Sequence, residues 1–128
     1  MYVTTIAHRI AAAVFALLLY TMAWLQLNDP DPALWVAIYM VMGSLSLATV
    51  IRGVWRVAVW TVFAIALAWS AWLSPSVYEL FAYHSPGDLF TGMSPDRPYV
   101  EESREALGLM IGVVAMLQLL LAKPVARR

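Results

Sequence analysis

Residues 10–28 read IAAAVFALLLYTMAWLQLN, nineteen positions without a charged side chain. As a helix rising 1.5 Å per residue this stretch is about 28 Å long, close to the roughly 30 Å hydrocarbon thickness of a bilayer. Three more uncharged runs follow, over 33–51, 57–78 and 106–122. Each mixes Leu, Ala, Val, Ile and Trp without the strict alternation of a barrel strand. In lipid the remaining solution is the helix, which satisfies its backbone amides internally. The chain therefore reads as an all-α integral membrane protein, a four-helix transmembrane bundle in a single domain over 1–128. The expected spans are about 6–27, 33–51, 57–74 and 101–122, with a capping loop over 75–100.

Composition agrees. Of the 128 residues 62% are apolar and 12% charged, with a mean hydropathy of +0.74, whereas a soluble domain is roughly 45–50% apolar and about 25% charged. Eight Lys plus Arg balance eight Asp plus Glu, so no basic excess suggests a nucleic-acid partner. The lack of Cys excludes disulfides, thiolate metal sites and a Cys nucleophile. The first run is expected to stay in the membrane, because no A-x-A cleavage pattern follows its apolar stretch.

Charge placement predicts the orientation, since Lys and Arg accumulate in short cytoplasmic segments. Arg9, Arg52, Arg56, Lys123, Arg127 and Arg128 fall at the N-terminus, the second connection and the C-terminus, where no acid occurs. All eight acids fall in the other two connections and at the start of the last span. Both termini are thus expected in the cytoplasm of a cell whose plasma membrane holds the chain. Trp55 and Trp60 near the inner boundary, and Trp24, Trp35, Trp69 and Trp72 near the outer one, are expected as interfacial belts.

The long third connection is punctuated by Pro75, Pro86, Gly87, Gly92, Pro95 and Pro98, which argues against a continuous helix. Ser74 and Pro75 suit an N-cap and first helical position. Val77, Leu80, Phe81 and His84 share one helical face, predicting a short interfacial helix over the outer mouth.

Two motifs place costly polar groups at membrane level. Gln26-Leu27-Asn28-Asp29-Pro30-Asp31-Pro32 joins the first two spans. There Asn28 fits a C-cap, Asp31 an N-cap and Pro32 the first helical position. Tyr99-Val100-Glu101-Glu102-Ser103-Arg104-Glu105 opens the last span. Acids in a first helical turn are favoured by the helix dipole, but Glu105 stands a turn deeper, in one stripe with Glu101, Gly108 and Gly112. The glycines form a GxxxG packing face, so Glu101 and Glu105 are expected to point into the bundle, with Arg104 within reach of Glu101.

These motifs, Gln26-x-Asn28-Asp29-Pro30-Asp31 with Trp35 and Tyr39, and Glu101-Glu102-x-Arg104-Glu105-x-x-Gly108-Leu109, resemble the two signature segments of the transmembrane protein 220 family. The resemblance implies a small multi-pass membrane protein and matches Gln26, Asn28, Asp29, Asp31, Glu101, Glu102, Arg104 and Glu105. His84 lies outside the match.

Both motifs belong to the outer end, so one composite polar site is expected there. Asp29, Asp31, Glu101 and Glu105 suit a hard divalent cation such as Ca²⁺, Mg²⁺ or Mn²⁺. Adding His84 extends the choice to Zn²⁺ or Fe²⁺. Three functions fit this inventory. The site binds a cation or polar lipid headgroup, with Arg104 on a phosphate. Alternatively, the polar corner only locks its own helices, and the chain is a non-enzymatic scaffold or accessory subunit of a larger membrane complex, docked through its glycine face or Trp-rich surface. In the third, a metal-assisted hydrolase or transferase uses Glu105 as general base.

Overall fold

The computed structural model describes residues 2–28, 31–90 and 97–125; Asp29, Arg127 and Arg128 lie outside them. Four helices account for most of the described chain: α1 (Ile6–Gln26), α2 (Pro32–Ile51), α3 (Arg56–Tyr83) and α4 (Pro98–Leu121), with a 3₁₀ turn at Pro86–Phe90. All four are long and apolar enough to cross a membrane.

The helices form two hairpins, α1 with α2 and α3 with α4, joined mainly through α4. About 50% of the apolar stretch of α4 is buried, against 17 to 33% for the others, which makes α4 the central helix. Lipid tails compete with every apolar contact, so such interfaces depend on close packing. The sequence supplies small residues for it. On α1 the buried positions are Ala12, Ala16, Leu19 and Ala23, a single helical stripe. On α4, Gly108 lies against Tyr39 and Met22, and Gly112 against Met42 and Leu19. The glycine face is therefore an internal seam against α1 and α2.

Several hydroxyl groups inside the spans donate to backbone carbonyls, which makes them tolerable in hydrocarbon. Thr21 donates to Leu17, Thr49 to Leu45 and Thr61 to Val57. Ser70 instead crosses between helices to the Ala106 carbonyl at 3.2 Å.

The helix start expected at Ser74–Pro75 is absent, because α3 runs unbroken through Pro75 to Tyr83. Proline has no N–H for the carbonyl four residues back, here that of Ala71. The Ser74 hydroxyl donates to that carbonyl at 2.7 Å, replacing the missing bond. The same serine that suggested a cap instead repairs the helix. The last span begins earlier than expected, with Pro98 in its first turn.

The tryptophans divide in two. Trp24, Trp55, Trp60 and Trp72 are exposed on the lipid-facing surface. Trp35 is buried, and its ring packs against Trp69, 4.5 Å between centroids and tilted by 30°. These two are packing residues between α2 and α3, not belt residues as expected.

At the opposite end an extended N-terminal segment ties three parts of the chain together. Tyr2 bridges to Val54 and Thr4 to Pro124. The Tyr2 hydroxyl donates to the Ala122 carbonyl at 2.8 Å and Thr4 Oγ1 to the Lys123 carbonyl at 3.1 Å. Gly53 makes the approach feasible: its φ is +131°, and an added Cβ would overlap the Tyr2 carbonyl. Arg9 adds a fork, with Nε at 3.2 Å and Nη2 at 2.8 Å from the Val50 carbonyl at the end of α2. The N-terminal segment, the second connection and the C-terminal segment thus share one end.

Candidate functional site

The polar end opposite the termini is built on the α3–α4 hairpin, since extending α3 past Pro75 brings Ser76 beside the first turns of α4. The Ser76 hydroxyl donates to Glu102 Oε2, and Ser103 Oγ donates to the Ser76 carbonyl at 2.9 Å. Ser103 is fully buried and Ser76 nearly so. A buried hydroxyl is favourable only when bonded, and this reciprocal pair bonds both serines while fixing the register of the two helices.

A second layer folds the 3₁₀ turn onto α4. Arg104 Nε donates to the Leu89 carbonyl. The Tyr99 hydroxyl donates to Asp88 Oδ2 at 3.2 Å, and Arg97 Nη1 lies 3.9 Å from Asp88 Oδ1. The imidazole of His84 stacks on the Tyr99 ring, 3.9 Å between centroids and 12° from parallel. His84 Nε2 is 3.9 Å from Glu79 Oε1, beyond hydrogen-bond length. A small apolar cluster of Leu80, Tyr99 and Val100, with Leu89 against it, lies beneath.

The motif residues divide between this clasp and its margins. Glu102 and Arg104 belong to it. Glu101 and Glu105 are half-buried on α4, on the stripe that continues through Gly108 and Gly112 toward α1 and α2. Gln26 is half-buried at the end of α1, with Oε1 enclosed and unbonded. Asp31 takes the N-cap position of α2, ahead of Pro32, but makes no side-chain capping bond and is exposed. Asn28 is exposed, and the C-cap of α1 is Leu27 instead. Asp29 lies outside the described residues.

Residues 10–121 match a family model described as transmembrane family 220, helix. The chain belongs to this family. No curated protein and no solved structure matches it. The family 220 chain is thus an integral membrane protein in a lipid bilayer, with four membrane-long helices.

Within this family 220 protein the composite metal site expected from sequence is not assembled among the described residues: no three His, Asp or Glu side chains gather there as ligands. Instead His84 stacks on an aromatic ring and Asp31 faces outward. Sequence reasoning missed Ser76, Asp88, Arg97 and Ser103. The signal for the serines was available, because a serine in an apolar helical run needs an acceptor, and two such residues at facing ends of one hairpin suit each other. Asp88 carried no signal, lying in a Pro- and Gly-rich segment of no fixed period.

Proposed function

We propose that this chain is a non-enzymatic membrane module, a scaffold or accessory subunit, whose outer polar side chains form a structural clasp. One observation carries the reading: Glu102, Ser103, Arg104, Tyr99, Asp88 and Arg97 are engaged with the chain's own side chains and carbonyls. Charged groups near lipid are costly unless paired, and here the pairing is internal. The test is Glu102→Gln and Glu105→Gln in detergent-purified protein, measuring unfolding and bound metal together. Glu102→Gln is expected to weaken the clasp by about 1–3 kcal/mol, the range for losing a charged hydrogen-bond partner. Metal content should stay the same in both variants. A stoichiometric metal lost on Glu105→Gln, with the fold retained, would overturn the reading.

A second reading, binding of a divalent cation or polar headgroup, is favoured by Gln26. Its Oε1 is buried without a donor, a cost of roughly 1–3 kcal/mol. Met22 of α1 approaches Gly108 of α4, and one turn outward from each come Gln26 and Glu105. A cation there would give Gln26 Oε1 the partner it lacks, with the Glu105 carboxylate one turn from the same crossing. The metal measurement on Glu105→Gln separates the two readings.

We also propose that both termini face the cytoplasm and that the membrane is the plasma membrane. The support is the acid-free basic character of the end where the N-terminal segment, the second connection and the C-terminal segment meet. A C-terminal reporter fusion should be active only on the cytoplasmic side; activity on the far side reverses the assignment.

A further inference from the structure

Apart from the Trp35–Trp69 contact, α2 and α3 scarcely touch, so the bundle is open along one face of α2. Two adjoining hollows of about 400 Å³ each lie along the surface of α2, one of them bordered by α1. Both are lined by Ser44 and Ala48, one turn apart, and by Trp55, while Tyr20 and Ile51 wall one of them. Arg52 lines the basic end of the same hollow. From Ser44 to Arg52 the helix rises about 12 Å, near the roughly 15 Å depth of one hydrocarbon leaflet.

Arg52 differs from its neighbours. Arg9 is bonded to the Val50 carbonyl and Arg56 to the Tyr2 hydroxyl. The Arg52 guanidinium is exposed and has no carboxylate or carbonyl partner among the described residues. Its end of the bundle contains no acidic residue in the sequence. A planar guanidinium at the head of an apolar groove, at the depth where a headgroup begins, suits an anion that presents two oxygens to its fork and is joined to a hydrocarbon tail, as a phosphodiester is. A second copy packed by a two-fold axis on this face would instead bring Arg52 toward Arg52 with no acid between them.

We propose that this groove holds one anionic phospholipid, its phosphate on Arg52, its glycerol beside Trp55 and one acyl chain along Ser44 and Ala48. The site is separate from the clasp, and its occupancy is independent of which way the chain crosses the membrane.

The test places the full chain in nanodiscs containing phosphatidylcholine, with either brominated phosphatidylglycerol or brominated phosphatidylcholine as quencher. The difference between the intact chain and Trp55→Phe isolates Trp55 fluorescence. Brominated phosphatidylglycerol is expected to quench Trp55 at lower mole fraction, by about fivefold, the equivalent of one Arg beside an anionic surface. Arg52→Gln should erase that preference and Arg52→Lys should retain only part of it. Ser44→Leu with Ala48→Leu should reduce quenching by both lipids. Equal quenching by both headgroups in the intact chain overturns the proposal, as does a preference unchanged in Arg52→Gln. Absent quenching in a chain that migrates as a dimer also overturns it, because protein then covers the groove.

Discussion

Gly108→Ala tests the packing of the central helix. A Cβ added there falls on the Tyr39 hydroxyl oxygen, well inside the 3.0 Å that real Cβ contacts keep, with Met22 Cε at 3.0 Å and Tyr39 Cζ at 3.2 Å. Tyr39 is 1% exposed, so its ring cannot swing into lipid and must withdraw by about 1 Å with its helix. Overpacking of this kind costs about 1–3 kcal/mol, against a gain of roughly 0.5–1 kcal/mol for replacing a mid-helix glycine with alanine. The net expectation is a loss of about 1–2 kcal/mol. Tyr39→Phe deletes the overlapping oxygen and leaves only the two contacts that a few tenths of an ångström relieve. In that background Gly108→Ala should be close to neutral, giving a coupling of about 1–2 kcal/mol in a double-mutant cycle. Whatever Tyr39→Phe does by itself drops out of the cycle. The assay is reversible unfolding of the four proteins in mixed micelles, followed by circular dichroism. Additive effects, with coupling below about 0.5 kcal/mol, would falsify the claim that Gly108 exists to admit the Tyr39 hydroxyl.

Two further substitutions probe features that keep the helices continuous and their ends together. Ser74→Ala removes the donor that replaces the missing amide of Pro75, at an expected cost of about 1 kcal/mol. Adding Pro75→Ala restores a backbone N–H to the Ala71 carbonyl, so the double variant should melt at or above the unsubstituted chain; a double variant as unstable as Ser74→Ala alone refutes the repair. Gly53→Ala forces a side chain onto φ +131° and against the Tyr2 carbonyl, an expected loss of about 1–3 kcal/mol. Limited proteolysis should then release the N-terminal segment sooner, and an unchanged cleavage rate would show that the bridges at Val54 and Pro124 do not depend on Gly53.

Legibility from sequence follows how many residues share the information. The four spans were readable because each rests on about 20 apolar positions, and no single substitution alters such a signal. The glycine stripe on α4 was readable in kind, since GxxxG requires a close neighbour, but the neighbours Tyr39 and Met42 were not, because periodicity does not name partners. Pro75 misled for a local reason. A Ser-Pro pair begins a helix when the preceding carbonyls are free and repairs one when they are already helical, and the dipeptide is the same in both. Of the side chains expected to join Glu101 and Glu105 around a metal, Asp29 lies outside the described residues, Asp31 is exposed at the start of α2, and His84 meets α4 by stacking on the Tyr99 ring.

The two ends of the bundle solve one problem with different chemistry. Packing alone gives helices in lipid little preference for each other over acyl chains, and α2 with α3 shows how thin such an interface becomes. At the end away from the termini, hydroxyl, carboxylate and guanidinium groups tie α3, the 3₁₀ turn and α4. At the other, backbone bridges and the Arg9 fork tie the N-terminal segment to α2, the second connection and the C-terminal segment. The side-chain ties hold one hairpin together, whereas those at the terminal end join both hairpins. Weakening the clasp should therefore loosen the α3–α4 ends locally, and breaking the Gly53 crossing should let the hairpins separate. Hydrogen exchange on Glu102→Gln and Gly53→Ala distinguishes these outcomes: loss of protection confined to α3 and α4 in the first, and spread to the α1–α4 seam in the second. Identical exchange patterns would mean that the glycine seam alone holds the hairpins together.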